Sequence, residues 1–402
     1  MGKGFARIWL ASTGSNLGDG VVLAALPLLG ATYTSDPLLI GGLTVAAGLP
    51  WLGFSLVSGA LVDRLDRRVV MVAVDVLRAA AVGMLALAVV LEMDSLVWVY
   101  IVMVLLGIGE TLFDTAAQTI LPAVVGPDNL EAANGRLFAA QVVTNQFIGP
   151  PLGGFLFAVA IPGPLLLDAV TFLISSVLLA TISGNFRVDR GGIKTGLGAE
   201  IAEGLSYLWN QRIIRSLAIG AAVINFGAAG TASLSVLFAT EELGLGPVGY
   251  GVLLGAGAIG SVLGSMSSAK VTTAVGRGNA LVLSIFLIGV SLFVIGIAPA
   301  PIVAGIGFGL FGYASDVWNV IAVSHRQRAV PDRLLGRLNA AYRLLAYGAL
   351  PLGALCAGGL ARYQGLRAPY LAGAASVVAL AFWFLTLRSE FGSLPAEPHG
   401  AA

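Results

Sequence analysis

The chain reads as long apolar runs separated by short polar breaks. The runs cover 7–32, 38–61, 69–91, 97–122, 134–160 and 163–183, and after a polar stretch 216–240, 247–269, 279–298, 301–325, 336–361 and 368–388. Each is close to the roughly 20 residues that a helix needs to cross a bilayer core. Turn chemistry marks the breaks: Ser35-Asp36-Pro37, Gly126-Pro127-Asp128-Asn129, Pro162-Gly163-Pro164 and Pro299-Ala300-Pro301. The pattern predicts an all-α membrane protein with twelve transmembrane helices in two sets of six. The expected divisions are a first half at 1–183, a cytoplasmic linker at 184–215, a second half at 216–388 and a polar, disordered tail at 389–402. From Ala199 the linker turns amphipathic, with Ile201, Leu205, Leu208 and Trp209 on one face, suited to the membrane surface or to the bundle.

Composition sharpens this picture. Hydrophobic residues make up 57% of the chain and charged residues 11%, against about 25% charged in a soluble domain. So few charges cannot cover a soluble surface of this size. The 54 glycines fall largely inside the apolar runs, where they let transmembrane helices approach closely. The net charge of +1 leaves no nucleic-acid footprint. The single cysteine, Cys356, excludes an intrachain disulfide and a cysteine metal cluster. There is no phosphate-binding loop of the G-x-x-x-x-G-K-S/T type and there are only 2 histidines, so neither ATP drive nor an enzyme constellation is indicated, and no cofactor is expected. The N-terminus, MGKGFARIWL, starts basic, but the run behind it is long and carries Asp19. It reads as a retained first helix and not as a signal peptide.

Charge placement sets the orientation. The stretch Gly59 to Arg68, GALVDRLDRR, crowds Asp63, Arg64, Asp66, Arg67 and Arg68 between two apolar runs. Lys and Arg accumulate in cytoplasmic loops. With the N-terminus inside, most of the 22 basic residues fall on that side; Arg362 and Arg367 lie outside, and Arg78, Arg136 and Arg343 lie within helices. Both termini are thus expected in the cytoplasm, with the protein multi-pass in the cell membrane and monomeric.

The two halves resemble each other. GPDNLEAANGRLFAA at 126–140 is echoed by VPDRLLGRLNAA at 330–341, Gly149 and Pro151-Leu152-Gly153 by Ala349 and Pro351-Leu352-Gly353, and Gly107 and Gly109 by Gly307 and Gly309. Gly59 is matched at Gly264, in a copy where Ser268 replaces the acid. Half-chain repeats of this kind mark transporters whose substrate site lies between the halves.

At this point the residues resemble a family. GALVDRLDRR resembles the signature between the second and third helices of the major facilitator superfamily, with Asp66 in place of the usual glycine. NQFIGPPLGG at 145–154 resembles the antiporter motif of the fifth helix, carried by Gly149, Pro150, Gly153 and Gly154, with Asn145 departing at the first glycine. GDGVVLAALPLL at 18–29, DVLRA at 75–79 and LPAVVGPDNLEAANG at 121–135 resemble the branch that holds macrolide and siderophore exporters. The resemblance implies the major facilitator fold, alternating access and export by proton antiport. It also implies a cytoplasmic gate of Gly59, Asp63, Arg64, Arg67 and Arg68, closing on the eleventh helix near Arg337.

A charge at the membrane centre costs about 2.5–3.5 kcal/mol on insertion scales, so it usually faces a cavity or a partner. Asp19 and Glu110 lie midway along the first and fourth helices, with Asp114 one turn after Glu110 and Asp316 in the tenth helix. These are the proton-coupling candidates; the alternative for each is a structural acid bonded to Ser, Asn or Arg. Asp75 and Arg78, three apart on the third helix, read as a local ion pair. Asp168 falls in the first turns of the sixth helix, where negative charge suits the helix dipole, and His325 reads as an interface residue. Asn16, Gln118, Asn145, Asn225, Phe226, Trp318 and Asn319 are candidates for lining the substrate cavity, with packing as the alternative. The expected partners are a small molecule, protons and the lipid bilayer. The function expected is proton-driven export of a small amphipathic molecule. A lipid or siderophore carrier, or a non-transporting receptor or regulator on the same fold, stands as the alternative.

Overall fold

The apolar runs fold as helices. The computed structural model describes residues 2–54, 58, 61–62, 65–126, 129–182, 186, 197–330 and 332–392. In chain order the helices are α1 (Lys3–Tyr33), α2 (Pro37–Gly53), α3 (Arg67–Val90), α4 (Leu96–Val125), α5 in three pieces (Leu130–Gln141, Val142–Ile148 and Gly149–Val159) and α6 (Gly163–Ala180). Then come a linker helix (Leu197–Asn210), α7 (Arg212–Leu237, running on through Phe238–Glu242), α8 (Pro247–Val275), α9 (Arg277–Gly296), α10 (Pro301–Ala329), α11 (Asp332–Gln364) and α12 (Ala368–Gly392). Among the described residues, 11 helices are long and apolar enough to cross a membrane, and α2 is a shorter apolar helix beside them. Ser58, Leu61 and Val62 are again helical beyond α2. No strand occurs among the described residues.

Local chemistry sets the helix starts. Asp36 accepts from the Leu38 amide at 2.9 Å and Pro37 opens α2, a side-chain cap followed by a residue with no amide to satisfy. Asp66 does the same for α3, accepting from Arg68 N at 2.9 Å and Val69 N at 3.4 Å. The carboxylate that departs from the superfamily signature is therefore the N-cap of the next helix. In α5 the backbone widens to a π-turn over Val142–Ile148, where the Gly149 amide reaches back to the Thr144 carbonyl. The cause is Pro150 and Pro151, which have no amide to donate and whose rings crowd the preceding turn.

The chain divides into two compact units, one of residues 1–191 with 235–255, the other of 192–234 with 256–402. In the first, α1 packs on α5 and α6, α3 on α4 and α6, and α2 on α4. In the second, α9 packs on α10 and α12, α11 on α12, and the linker helix on α11. The linker helix buries Leu208 but leaves Trp209 exposed, so Trp209 departs from the apolar face expected for it. It sits instead near the Arg215 guanidinium, which donates to its carbonyl at 2.6 Å. The last helix outruns its expected end, because Phe391 is buried against Phe384 and His325, and Glu390 pairs with Arg212 at 3.0 Å.

The helices of the first unit are inside-out relative to a soluble bundle. On α3, Leu77, Met84 and Leu87 are exposed while Asp75 and Arg78 are buried. On α6, Leu166, Leu173 and Val177 are exposed while Asp168, Thr171 and Ser175 are buried. Lipid accepts the leucines at no cost, and the polar groups must find one another inside.

Glycine makes the tightest contacts possible. A Cβ on Gly149 would stand 2.5 Å from Gly20 Cα, and one on Gly153 would collide with the Val21 carbonyl, so α5 lies backbone-to-backbone on α1. In the second unit Gly260 and Gly264 of α8 face the Gly309 and Tyr313 carbonyls of α10 in the same way. The Gly153→Leu variant is expected to lose monodisperse elution and melt earlier in detergent, whereas Gly135→Leu on the same helix, with nothing within 4 Å of its Cβ position, should behave as wild type.

Candidate functional site

The chemistry gathers where α1, α3, α4 and α6 meet. Arg78 of α3 is 4% exposed and its Nη2 donates to Asp19 Oδ1 of α1 at 2.7 Å. Asp19 keeps 22% of its side chain accessible, so one face of the pair is open. The Arg78 stem lies on Gly109 of α4, where a Cβ would come within 2.7 Å of Cδ. Its guanidinium carbon stands 4.2 Å over the Phe172 ring of α6, a cation–π contact that partly replaces lost hydration. Glu110, next to Gly109, is exposed and close enough to act electrostatically on both members of the pair.

The ion pair expected between Asp75 and Arg78 is therefore formed by Asp19 instead. Arg78 points across the helix interface and not along its own helix, because α1 brings it a carboxylate in direct contact. Asp75 is wholly buried, and its carboxylate oxygens have no hydrogen-bond partner, although Ser175 of α6 stands beside it. Asp168 is equally buried, and its oxygens have no hydrogen-bond partner either, although Thr171 stands beside it. It lies in the second turn of α6 with Oδ1 pressed against Gly18, the residue before Asp19. It thus belongs to the polar cluster, which sequence reasoning missed. The signal was the spacing of Asp168, Thr171 and Ser175 along one face of an otherwise apolar helix.

The other candidates separate by position. Asp316 of α10 is half-buried beside Ser261 of α8, and Asp114 is half-buried on α4. Asn16 donates to the Ser12 carbonyl at 2.7 Å, and Asn225 to the Ala346 carbonyl of α11 at 2.9 Å. Asn145 lies half-buried in the π-turn with its backbone against Gly20. Phe226 and Asn319 are exposed. Trp318 is not on an open surface: it is 5% exposed and packs edge-on to Phe384 at 5.4 Å, because a large apolar ring gains more from the core than from a wet wall. His325 is buried with its ring against Phe391. Gly59, Asp63 and Arg64 lie outside the described residues, as do the side chains of Gln118 and Arg337. Arg68 donates to the Ile182 carbonyl at 2.6 Å and Arg7 to the Thr181 carbonyl at 2.6 Å. These two cations meet the carbonyl end of α6, where positive charge is favoured. Between α1 and α5 there is a cavity of about 730 Å³ whose lining includes Phe5, Trp9, Thr13, Arg136 and Thr144.

The antiporter-like motif of α5 makes two contacts within the first unit. Gly149 and Gly153 meet α1, while Pro150, Pro151 and Gly154 meet Gly251, Gly255 and Pro247 at the start of α8. A profile of transmembrane secretion effectors matches residues 2–396. The chain belongs to that family. It is a branch of the major facilitator superfamily, whose members are transporters and not enzymes. Among the relatives of this secretion effector, the multidrug efflux pump Tap of Mycolicibacterium fortuitum is 30% identical, with 91% of each chain covered. The enterobactin exporter EntS of Escherichia coli O1:K1 is 25% identical over 89% of this chain and 85% of the relative. The fold matches the nucleoside transporter NupG (TM-score 0.72, 15% identity, covering 96% and 99% of the two chains). It also matches a bacterial homologue of the iron transporter ferroportin (TM-score 0.74, 18% identity, covering 96% and 98%). The secretion effector is thus a multi-pass efflux transporter of the cell membrane, acting on small molecules.

Removing Arg78 would strip Asp19 of its contacting cation. Breaking a buried pair by deleting one partner costs roughly 3–5 kcal/mol. Arg78→Met should lower the melting temperature in detergent clearly, and Asp19→Asn combined with Arg78→Met should restore part of the loss. Equal melting of the single and double variants would show that the pair contributes no stability.

Proposed function

We propose that this transporter exports a small amphipathic molecule in exchange for protons, by alternating access. The observation that carries the reading is the Asp19–Arg78 pair: an ion pair inside a helix bundle, with its carboxylate still reachable from one side. A carboxylate so placed can exchange a proton with a cavity, and its partner arginine makes the packing of α1 on α3 sensitive to that proton. Glu110, on the exposed side of the same cluster, is the second proton-coupling candidate, with Asp114 and Asp316 behind it.

An amphipathic substrate suits the cavity between α1 and α5, where Phe5 and Trp9 offer apolar faces and Arg136 and Thr144 polar ones. It also suits kinship with an efflux pump named for many drugs. The motif of Gly149, Pro150, Gly153 and Gly154 supports export, since its backbone contacts with α1 and α8 can loosen only as a unit. The charged stretch with Gly59, Asp63, Arg64, Arg67 and Arg68, together with Arg337, is assigned the gate. A siderophore as substrate is the second reading, favoured by the likeness to the enterobactin exporter.

Everted membrane vesicles test this. An acid-inside gradient should drive uptake of at least one compound from a panel of amphipathic dyes, drugs and catecholate siderophores, and dissipating the gradient should stop it. Asp19→Asn should abolish gradient-driven uptake while retaining downhill exchange. Uptake that is indifferent to the gradient, or an Asp19→Asn variant that still accumulates substrate uphill, would refute proton antiport through Asp19.

A further inference from the structure

The polar cluster holds more acid than the ion pair uses. Asp19, Asp75 and Asp168 surround one arginine, and Arg78 touches only Asp19. The charged groups facing it are Asp19 from α1, Asp75 beside it on α3, Glu110 from α4 and Asp168 from α6. Glu110 is exposed; Asp75 and Asp168 are not. Among the described residues, His, Cys, Asp and Glu form no group suited to holding a metal ion.

Arg78 is built to reach more than one partner. A guanidinium carries five N–H donors, and the Arg78 Nε is buried without an acceptor. Its head rests on Phe172, one helical turn beyond Asp168, and Asp168 Oδ1 abuts the residue before Asp19. Ser175 Oγ, 1% exposed, is also unpartnered beside Asp75. The cluster therefore offers Arg78 an outer carboxylate in contact and an inner one, Asp168, within its electrostatic reach.

We propose that Asp168 is a second, internal pole for Arg78, so that the arginine alternates between Asp19 and Asp168 as one proton passes the other way. With Arg78 on Asp19, the inner carboxyl is protonated. When Arg78 swings to Asp168, the O–H bond on Asp168 breaks and one forms on Asp19; the charge of the cluster does not change. The swing transfers the arginine's grip from α1 to α6, and Asp19, reachable from one face, then exchanges that proton across its open side. Asp75 and Ser175 flank the inner pole and hold the polar path between the two positions. This rests on the proton-antiport reading above and adds the residue that receives the arginine.

Infrared difference spectroscopy on the full chain in proteoliposomes tests it without a substrate. At neutral pH the wild type should show a protonated-carboxyl band that shrinks in Asp168→Asn and returns in Asp168→Glu. The same band should also shrink in Asp19→Asn: with no carboxylate on α1, Arg78 settles on Asp168 and ionises it. The charge at 19 also acts on Asp168 directly, so the arginine is removed as well: in Asp19→Asn combined with Arg78→Met the band should return, and a band that stays small there would overturn the arginine transfer. A band unchanged in Asp19→Asn, or in Asp168→Asn, overturns the proposal. In everted vesicles given external ethidium, an amphipathic cation, Asp168→Asn should reduce gradient-driven accumulation by about tenfold or more, the worth of one charge-assisted hydrogen bond, while counterflow into ethidium-loaded vesicles is kept. Should Asp168→Asn fold poorly, the Asp19→Asn band still decides. Normal pumping by Asp19→Asn would sink the antiport reading; an inactive Asp19→Asn beside a normally pumping Asp168→Asn would sink the switch alone.

Discussion

An arginine inside a helix bundle bathed in lipid has to keep its counter-charge, and much of the first unit is arranged around that need. Arg78 cannot reach water, so α1 brings Asp19 to it, α4 offers a glycine for its stem to lie on, and α6 supplies an aromatic ring beneath its head. Each of these contacts fixes the rotation of one helix about its own axis. The leucines and valines opposite then face outward, where lipid accepts them. The rule that places polar groups on the surface of a soluble protein is inverted, and the inversion gives the first unit a polar interior.

A second constraint is distance. Helices in lipid have little hydrophobic drive to hold them together, so packing has to come from close approach. The chain meets this with glycine at the crossing points: Gly20 and Gly149 between α1 and α5, Gly260 with Gly309 between α8 and α10. The two prolines after Gly149 add a π-turn, so α5 is irregular just where it meets α1 and α8. The motif associated with exporters is thus a place where backbone, and not side chain, forms the contact.

Most of the architecture was legible in the order of apolar and polar residues. Helix number and approximate bounds follow from the length of hydrocarbon that each run must cross, a requirement that acts on each segment alone. Asp36 as the start of α2 and the irregularity at Pro150 were also local matters, since a cap or a missing amide affects only the next turn. The acids at 19 and 75 and the arginine at 78 were visible as charges too costly to face lipid, whereas Asp168 read as a charge suited to the start of its helix. What the chain alone determined, then, was that these groups would be inside. Which carboxylate Arg78 would meet was decided only by the tertiary structure. Asp75 is three residues away in sequence, yet Asp19 is the partner, because helix rotation sets α1 against the arginine, Gly18 lets α1 close on α6, and Gly109 lets α4 lie on the arginine stem. Trp318 went the same way: its composition fitted a cavity wall, but its neighbours Phe384 and Gly220 made it core. Spacing along one helix tells which residues share a face; it takes the packed neighbours to say what that face meets.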